Sequence, residues 1–128
     1  MKVLLDTHAV IWWVDQDDQL GDTGHEVIAE PANDLLVSAA TIWEISIKCG
    51  LGKLSLSLPL RDWLSQAVTD LRAAILPITI EYAATRSELP RHHGDPFDRL
   101  ITAQAKVEDI PIISRDVAFD RYDIDRIW

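Results

Sequence analysis

Residues 3–14 read VLLDTHAVIWWV, and this stretch sets the fold class. The short apolar run at 3–5 is typical of a buried strand, and the apolar run at 9–14 is long enough for a buried helix. Asp6 stands between the two. A strand that leads directly into a helix, when the pair repeats along a chain, is typical of an α/β domain.

The same alternation continues outward from this stretch. Apolar runs predict further strands at 35–38, 75–78, 110–114 and 124–128, and amphipathic patterns predict helices at 22–30, 39–51, 60–71 and 80–87. The clearest helix opens at Asp95, a natural N-cap, with Pro96 at its first position. The sequence therefore predicts a single α/β domain spanning residues 1–128, with a mostly parallel sheet flanked by helices.

Composition and charge limit the classes of function. The chain has 128 residues, 48% of them hydrophobic, which suffices for one core. Its single cysteine, Cys49, cannot form an internal disulfide, and no signal peptide or membrane-spanning run is visible, so a cytoplasmic protein is expected. A net charge of -9 argues against broad binding to nucleic acid, unless some carboxylates hold divalent cations.

Four acids fall where such cations would bind. Asp6 and Asp116 follow predicted strands, and Glu44 and Asp98 lie early in predicted helices. Because the carboxyl ends of parallel strands share one edge of the sheet, these four side chains are expected to converge. Clustered oxygen ligands without cysteine or spaced histidine suit Mg²⁺ or Mn²⁺ rather than zinc.

Each acid also has a structural explanation. The two strand-end aspartates could cap turns, and the N-terminal end of a helix dipole favours Asp98. Glu44 fits a capping box with Thr41 and also precedes Lys48 by four residues, a favourable ion-pair spacing. Spacing alone leaves both interpretations open.

Five strings carry a resemblance to a known family, and they occur in its order: VLLDTHA (3–9), WEISIK (43–48), GKL (52–54), DPFDRLI (95–101) and SRD (114–116). Together they resemble the PIN-domain ribonucleases, in particular the VapC toxins of toxin–antitoxin pairs, from Lys2 to Trp128. The family's acidic quartet falls on the four acids already identified.

The resemblance implies hydrolysis of single-stranded RNA with one or two Mg²⁺ or Mn²⁺ ions. It implies that Asp6 and Asp98 are the main ligands, and that Glu44 and Asp116 complete the site through waters or a second ion. It also implies a cognate, VapB-like antitoxin that inserts a basic residue into the acidic pocket. The apolar early helices, which carry Trp12 and Trp13, are candidates for a homodimer or antitoxin surface.

Other side chains are weaker candidates. The hydroxyls of Thr7 and Ser114 are expected to bond a carboxylate or a phosphate, with a role in turns or caps as the alternative. Cys49 lies on the apolar stripe of its helix and is interpreted as core. Several basic side chains are candidate contacts to the RNA backbone, with a solvated surface role as the alternative: Arg99, Arg115, Lys48, Arg91, His92 and His93.

Two other classes of protein are alternatives. A receiver-type signalling domain also has an acidic pocket at strand ends, but it needs adjacent acids after the first strand and a lysine near a late strand end. Asp6 has no acidic neighbour, and the basic residue at that later position is Arg115. A catalytically silent PIN-like binding domain is the second alternative, against which the complete quartet argues.

Overall fold

The computed structural model describes residues 1–92 and 94–128, in which strands and helices alternate. The strands are β1 (Lys2–Leu5), β2 (Asp34–Ser38), β3 (Ala74–Leu76), β4 (Ile112–Ile113) and β5 (Arg126–Ile127). The helices are α1 (Thr7–Val14), α2 (Asp22–Ala29), α3 (Ala39–Gly50), α4 (Leu60–Leu71), α5 (Ile80–Glu88) and α6 (Pro96–Glu108), followed by a 3₁₀ helix (Val117–Tyr122). No helix in these ranges is long and apolar enough to cross a membrane.

The five strands form one sheet in the order β3-β2-β1-β4-β5, and every pairing is parallel. The predicted α/β class is therefore confirmed, and the sheet is wholly rather than mostly parallel. β1 stands at its centre, where Leu4 pairs with Leu36 of β2 on one side and with Ile112 of β4 on the other. β3 lies at an edge, as Pro77 at its end predicts.

Helices cover both faces of the sheet, which is the usual condition of a parallel sheet. Side chains alternate between the faces along β1: Val3 and Leu5 pack with one group of helices, and Leu4 packs on the opposite side. The first core includes Val10 of α1, Ile28 of α2, Ile45 of α3 and Trp63 of α4. The second core includes Ile101 of α6, Ile112 of β4 and Phe119 of the 3₁₀ helix.

The N-terminal caps of α6 and α3 set the positions of Asp98 and Glu44 along these helices. Asp95 caps α6 as predicted, and its carboxylate accepts from the backbone N–H groups of Phe97 and Asp98. The capping box predicted at Thr41 is wrong, because α3 begins two residues earlier and Ser38 caps it by accepting from the N–H of Ala40. Glu44 is thereby placed in the second turn of α3, where its carboxylate reaches tertiary partners.

One close approach involves the last residue of the chain. A Cβ built on Gly21 would lie 2.7 Å from the carbonyl carbon of Trp128 and 2.8 Å from its indole ring. We expect Gly21→Ala to destabilise the protein by about 1–3 kcal/mol, because no methyl group fits there without moving Trp128. Gly50→Ala is the matched control: a Cβ at this end of α3 meets nothing within 4 Å and should stabilise by about 0.4–1 kcal/mol. Urea unfolding of both variants measures the difference, and equal stabilities would contradict this packing.

Candidate active site

The strand order reverses at the carboxyl ends of the central strands, which is where an open α/β sheet has its ligand crevice. The chain runs outward from β1 through β2 to β3, then returns to the other side of β1 to form β4 and β5. Ligands of open α/β sheets bind at such a reversal of strand order. Asp6 follows β1, and Ser114 follows β4, so these two residues flank the reversal.

Asp6 is a buried carboxylate with two defined partners. Its residue is only 6% exposed, and its Oδ1 caps α1 by accepting from the N–H of Ala9 at 3.0 Å. Its Oδ2 accepts from the Ser114 hydroxyl at 2.5 Å. Burial raises the pKa of Asp6, while the bonds from Ser114 and Ala9 act in the opposite direction. A cation beside this carboxylate would relieve the cost of burying its charge.

Ser114 connects Asp6 to Asp116. Its Oγ donates to Asp6 and accepts from the backbone N–H of Asp116 at 3.0 Å, and the residue is fully buried. The carboxylate of Asp116 is exposed and caps the 3₁₀ helix by accepting from the N–H of Ala118 at 2.9 Å. The capping role expected as the alternative for Asp116 is therefore present. Asp116 is also linked to Asp6 through the single residue Ser114.

Glu44 lies on the other flank of the crevice with both carboxylate oxygens engaged. Its Oε1 accepts from the hydroxyl of Thr7, the residue after Asp6, at 2.5 Å. Its Oε2 pairs with the Lys48 ammonium at 2.6 Å. Glu44 is 3% exposed, which is unusual for a glutamate. The predicted bond from Thr7 to a carboxylate is present, and so is the Glu44–Lys48 pair weighed as the structural alternative.

Asp98 approaches this flank from α6. It lies in the first turn of α6 and is partly buried. The α3 and α6 helices meet through Trp43 and Phe97, whose rings are 5.6 Å apart and nearly perpendicular. The hydrogen bond that Lys48 donates to Glu44 raises the pKa of Lys48 against partial burial, and the charges of Glu44, Asp95 and Asp98 add to the rise. Lys48 thus lies within electrostatic reach of acids on two helices.

Neighbouring side chains connect some of the acids. Ser114 joins Asp6 to Asp116, and Thr7 and Lys48 bond the two carboxylate oxygens of Glu44. The charge of Asp98 acts on Lys48. Within residues 1–92 and 94–128, no group of three or more His, Cys, Asp or Glu side chains is arranged to hold a metal ion. The four-carboxylate metal site therefore stays a prediction, with a donor set of oxygens that suits Mg²⁺ or Mn²⁺.

The basic candidates differ in what their side chains do. Arg99 is buried, and its guanidinium donates to the carbonyls of Arg86, Leu89 and Pro90, at 2.9, 3.3 and 3.0 Å respectively. This differs from the solvent-facing position that contact with RNA requires, because the guanidinium instead holds the loop between α5 and α6.

Other basic side chains do face solvent. Arg91, His92 and Arg115 are exposed, and Arg115 lies 6.0 Å over the ring of Trp12. His93 lies outside the described residues. These positions are compatible with contact to a polyanion, and that contact stays a prediction.

Sequence reasoning missed some parts of the crevice. Thr41 is fully buried and its hydroxyl lies 3.4 Å from that of Thr7, so it supports the side chain that orients Glu44. Its spacing from Glu44 predicts a capping box, but within α3 the same spacing places both side chains on one face of the helix. Trp43 is 60% exposed, and its ring contacts that of Phe97 at the start of α6.

Comparisons with known proteins cover most of the chain. The family model described as PIN domain matches residues 3–125. Ribonuclease VapC22 from Mycobacterium tuberculosis is 33% identical over 115 residues, 89% of this chain and 86% of that protein.

Solved structures agree in fold. VapBC2 from Rickettsia felis, bound to a DNA fragment from the promoter, matches with a TM-score of 0.72, 16% identity and 100% coverage of both chains. VapBC-5 from Mycobacterium tuberculosis, a member of the VapBC family of toxin–antitoxin systems, matches with a TM-score of 0.61 and 19% identity over 98% of this chain and 97% of that one. At such identities the structural matches show the fold alone.

Proposed function

Since the chain belongs to the PIN-domain family, as its motifs predict, we propose that it is a VapC-type ribonuclease, the toxin of a toxin–antitoxin pair. The reaction is hydrolysis of a phosphodiester bond in single-stranded RNA. The relative that shares 33% of its residues is named a ribonuclease, and the match spans most of both proteins. Family membership also removes the receiver-type alternative.

The observation that carries the proposal is the buried carboxylate of Asp6 at the reversal of strand order. An anion held there by Ser114 and Ala9, with its pKa raised by burial, is an arrangement that a divalent cation stabilises. Asp6 and Asp98 would be the main ligands of Mg²⁺ or Mn²⁺, with Glu44 and Asp116 acting through waters or a second ion. The metal supplies an activated water and a polarised phosphoryl oxygen when it is bound.

The neighbouring residues orient these acids. Ser114 holds Asp6 and the backbone of Asp116, and Thr7 holds Glu44. Buried hydroxyls with fixed partners keep carboxylates in one geometry, which lowers the cost of arranging a reactive site. Arg115, exposed beside Asp116, is the described basic residue best placed to contact the RNA backbone on this side of the crevice.

Partners follow from the family. We propose a VapB-like antitoxin that places a basic residue against the acidic crevice, a homodimer as the toxin's own assembly, and the cytoplasm as the compartment. The solved VapBC structures with the same fold support the antitoxin as the partner. Trp12 and Trp13, partly exposed on α1, stay candidates for one of these surfaces.

A cleavage assay tests the activity. Purified protein is incubated with total RNA and with a structured RNA that carries single-stranded loops, with MgCl₂, MnCl₂ or EDTA. We expect defined cuts with either metal and none with EDTA, and no cuts from an Asp98→Asn variant purified in parallel, which controls for contaminating nuclease. Absence of cutting by the wild-type protein with both metals would favour the silent PIN-like binding domain instead.

A further inference from the structure

We propose that Lys48 is a resident counter-cation of the acidic crevice, which neutralises Glu44 in the metal-free protein and competes with a divalent ion for it. The proposal rests on the function proposed above and concerns the regulation of that same site. It assigns Lys48 to the site itself rather than to the surface of α3.

Lys48 and Glu44 form an ion pair within α3. Lys48 and Glu44 are four residues apart on α3, and their charged atoms lie 2.6 Å apart. An exposed pair at this spacing contributes little to stability. This pair is different because the Glu44 side chain is only 4% exposed while that of Lys48 is 35% exposed. The lysine therefore brings its charge inward from the rim to a buried carboxylate.

Acids at the start of α6 also act on the Lys48 ammonium. The charges of Asp95 and Asp98, from the start of α6, act on Lys48 together with that of Glu44. The other oxygen of Glu44 is already bonded to Thr7. Lys48 thus contacts Glu44 and lies within electrostatic reach of Asp95 and Asp98. Two of these acids, Glu44 and Asp98, are proposed to act on the metal. It supplies the positive charge there that a buried carboxylate needs when no metal is bound.

Competition with a metal follows from charge. A divalent ion near Glu44 and Asp98 meets the repulsion of a fixed ammonium, or must displace that ammonium from Glu44. Either way, the positive charge of Lys48 weakens binding of the ion. The same charge stabilises the metal-free protein, because a buried carboxylate that loses its partner is costly. One residue therefore has opposite effects on metal affinity and on metal-free stability.

The test uses the whole chain and Mn²⁺ as the probe. Lys48→Gln removes the charge but keeps an N–H donor for Glu44, which favours folding. We expect the Kd for Mn²⁺, measured by isothermal titration calorimetry, to fall about tenfold in Lys48→Gln. We expect the melting temperature of the metal-free variant to fall, and the increase in melting temperature on adding Mn²⁺ to grow.

Two variants serve as controls. Lys48→Arg keeps the charge and should retain a Kd within about twofold of the wild type. Lys53→Gln removes one charge from an exposed lysine just beyond α3 and should leave both Kd and melting temperature unchanged. If the Kd of Lys53→Gln for Mn²⁺ fell as far as that of Lys48→Gln, net charge would be the cause. That result would overturn the assignment of Lys48 to the site.

The outcomes distinguish failure of the Lys48 proposal from failure of the proposed ribonuclease function. If the wild type binds Mn²⁺ and cleaves RNA, but Lys48→Gln binds Mn²⁺ no more tightly, the counter-cation role is wrong and the nuclease stands. If Lys48→Gln binds Mn²⁺ more weakly, Lys48 orients a ligand rather than competing with the metal, which also overturns the proposal. If the wild type neither binds Mn²⁺ nor cleaves RNA, the proposed function fails first.

Discussion

Asp98→Ala is expected to lower the rate of RNA cleavage by about a thousandfold or more while reducing the free energy of unfolding by only about 0.3–1 kcal/mol. The loss of rate follows if Asp98 is a main metal ligand, because alanine removes the anionic oxygens that hold the ion. The expected loss of stability is the one that a carboxylate in the first turn of a helix gains from the helix dipole, and Asp98 lies in the first turn of α6. Single-turnover cleavage and urea unfolding measure the two quantities.

The neighbouring acid provides the matched comparison. Asp95 accepts from the N–H groups of Phe97 at 2.8 Å and Asp98 at 3.1 Å, so it is the N-cap of α6. We expect Asp95→Ala to cost about 0.5–2 kcal/mol of stability and to reduce cleavage mainly through the shifted helix start. If Asp95→Ala abolished cleavage at full stability while Asp98→Ala unfolded the protein, the metal would have been assigned to the wrong aspartate.

Asp6→Asn is expected to abolish cleavage and, at the same time, to stabilise the metal-free protein by about 0.5–2 kcal/mol. Asparagine keeps an oxygen that accepts from Ala9 but carries no charge, so it removes an anionic ligand without a change of volume. Its amide N–H group then donates to the Ser114 Oγ, in place of the carboxylate oxygen that accepts from it. The gain in stability follows because the charge of Asp6 is buried and its pKa is raised by that burial. Calorimetric melting in EDTA measures it.

The pH dependence gives this prediction a second check. A carboxyl whose pKa is higher in the folded protein than the ordinary 3.8 is destabilising when ionised. The advantage of Asp6→Asn should therefore be complete at pH values above the raised pKa and vanish below pH 3.8, where the carboxyl is protonated in both states. Asp18→Asn, at an exposed position on the loop after α1, removes the same charge without a change in burial and is the matched control. A pH-independent difference would mean that charge burial is not the cause.

Much of the fold was predictable because its signals are local. Asp95 and Pro96 mark the start of α6, and the apolar runs mark the strands that pair around β1. The acids could also be placed at strand ends and helix starts from the sequence alone. The parallel order of the strands then brings Asp6 and Ser114 to one edge of the sheet.

The remaining features depend on tertiary contacts. The cap of α3 at Ser38 rather than Thr41 follows from where β2 ends, and the burial of Arg99 follows from carbonyls that α5 and its loop present. The 3₁₀ helix after Asp116 has no distinct pattern in the sequence, because its aromatic residue Phe119 is fixed by a core contributed by other elements. The approach of α6 to Lys48 likewise depends on how two helices pack.

The central position of β1 has a consequence for synthesis of the chain. The hydrogen bond between Asp6 and Ser114 joins residues 108 positions apart, and β1 gains β4 as its neighbour only after Ile112 and Ile113 have been made. At about 5–20 residues per second, translation of the intervening segment takes roughly 5–20 s. During that interval the nascent polypeptide carries Asp6 without Ser114 or Asp116. The metal site proposed for Asp6 and Asp116 therefore cannot assemble on the nascent polypeptide during this interval.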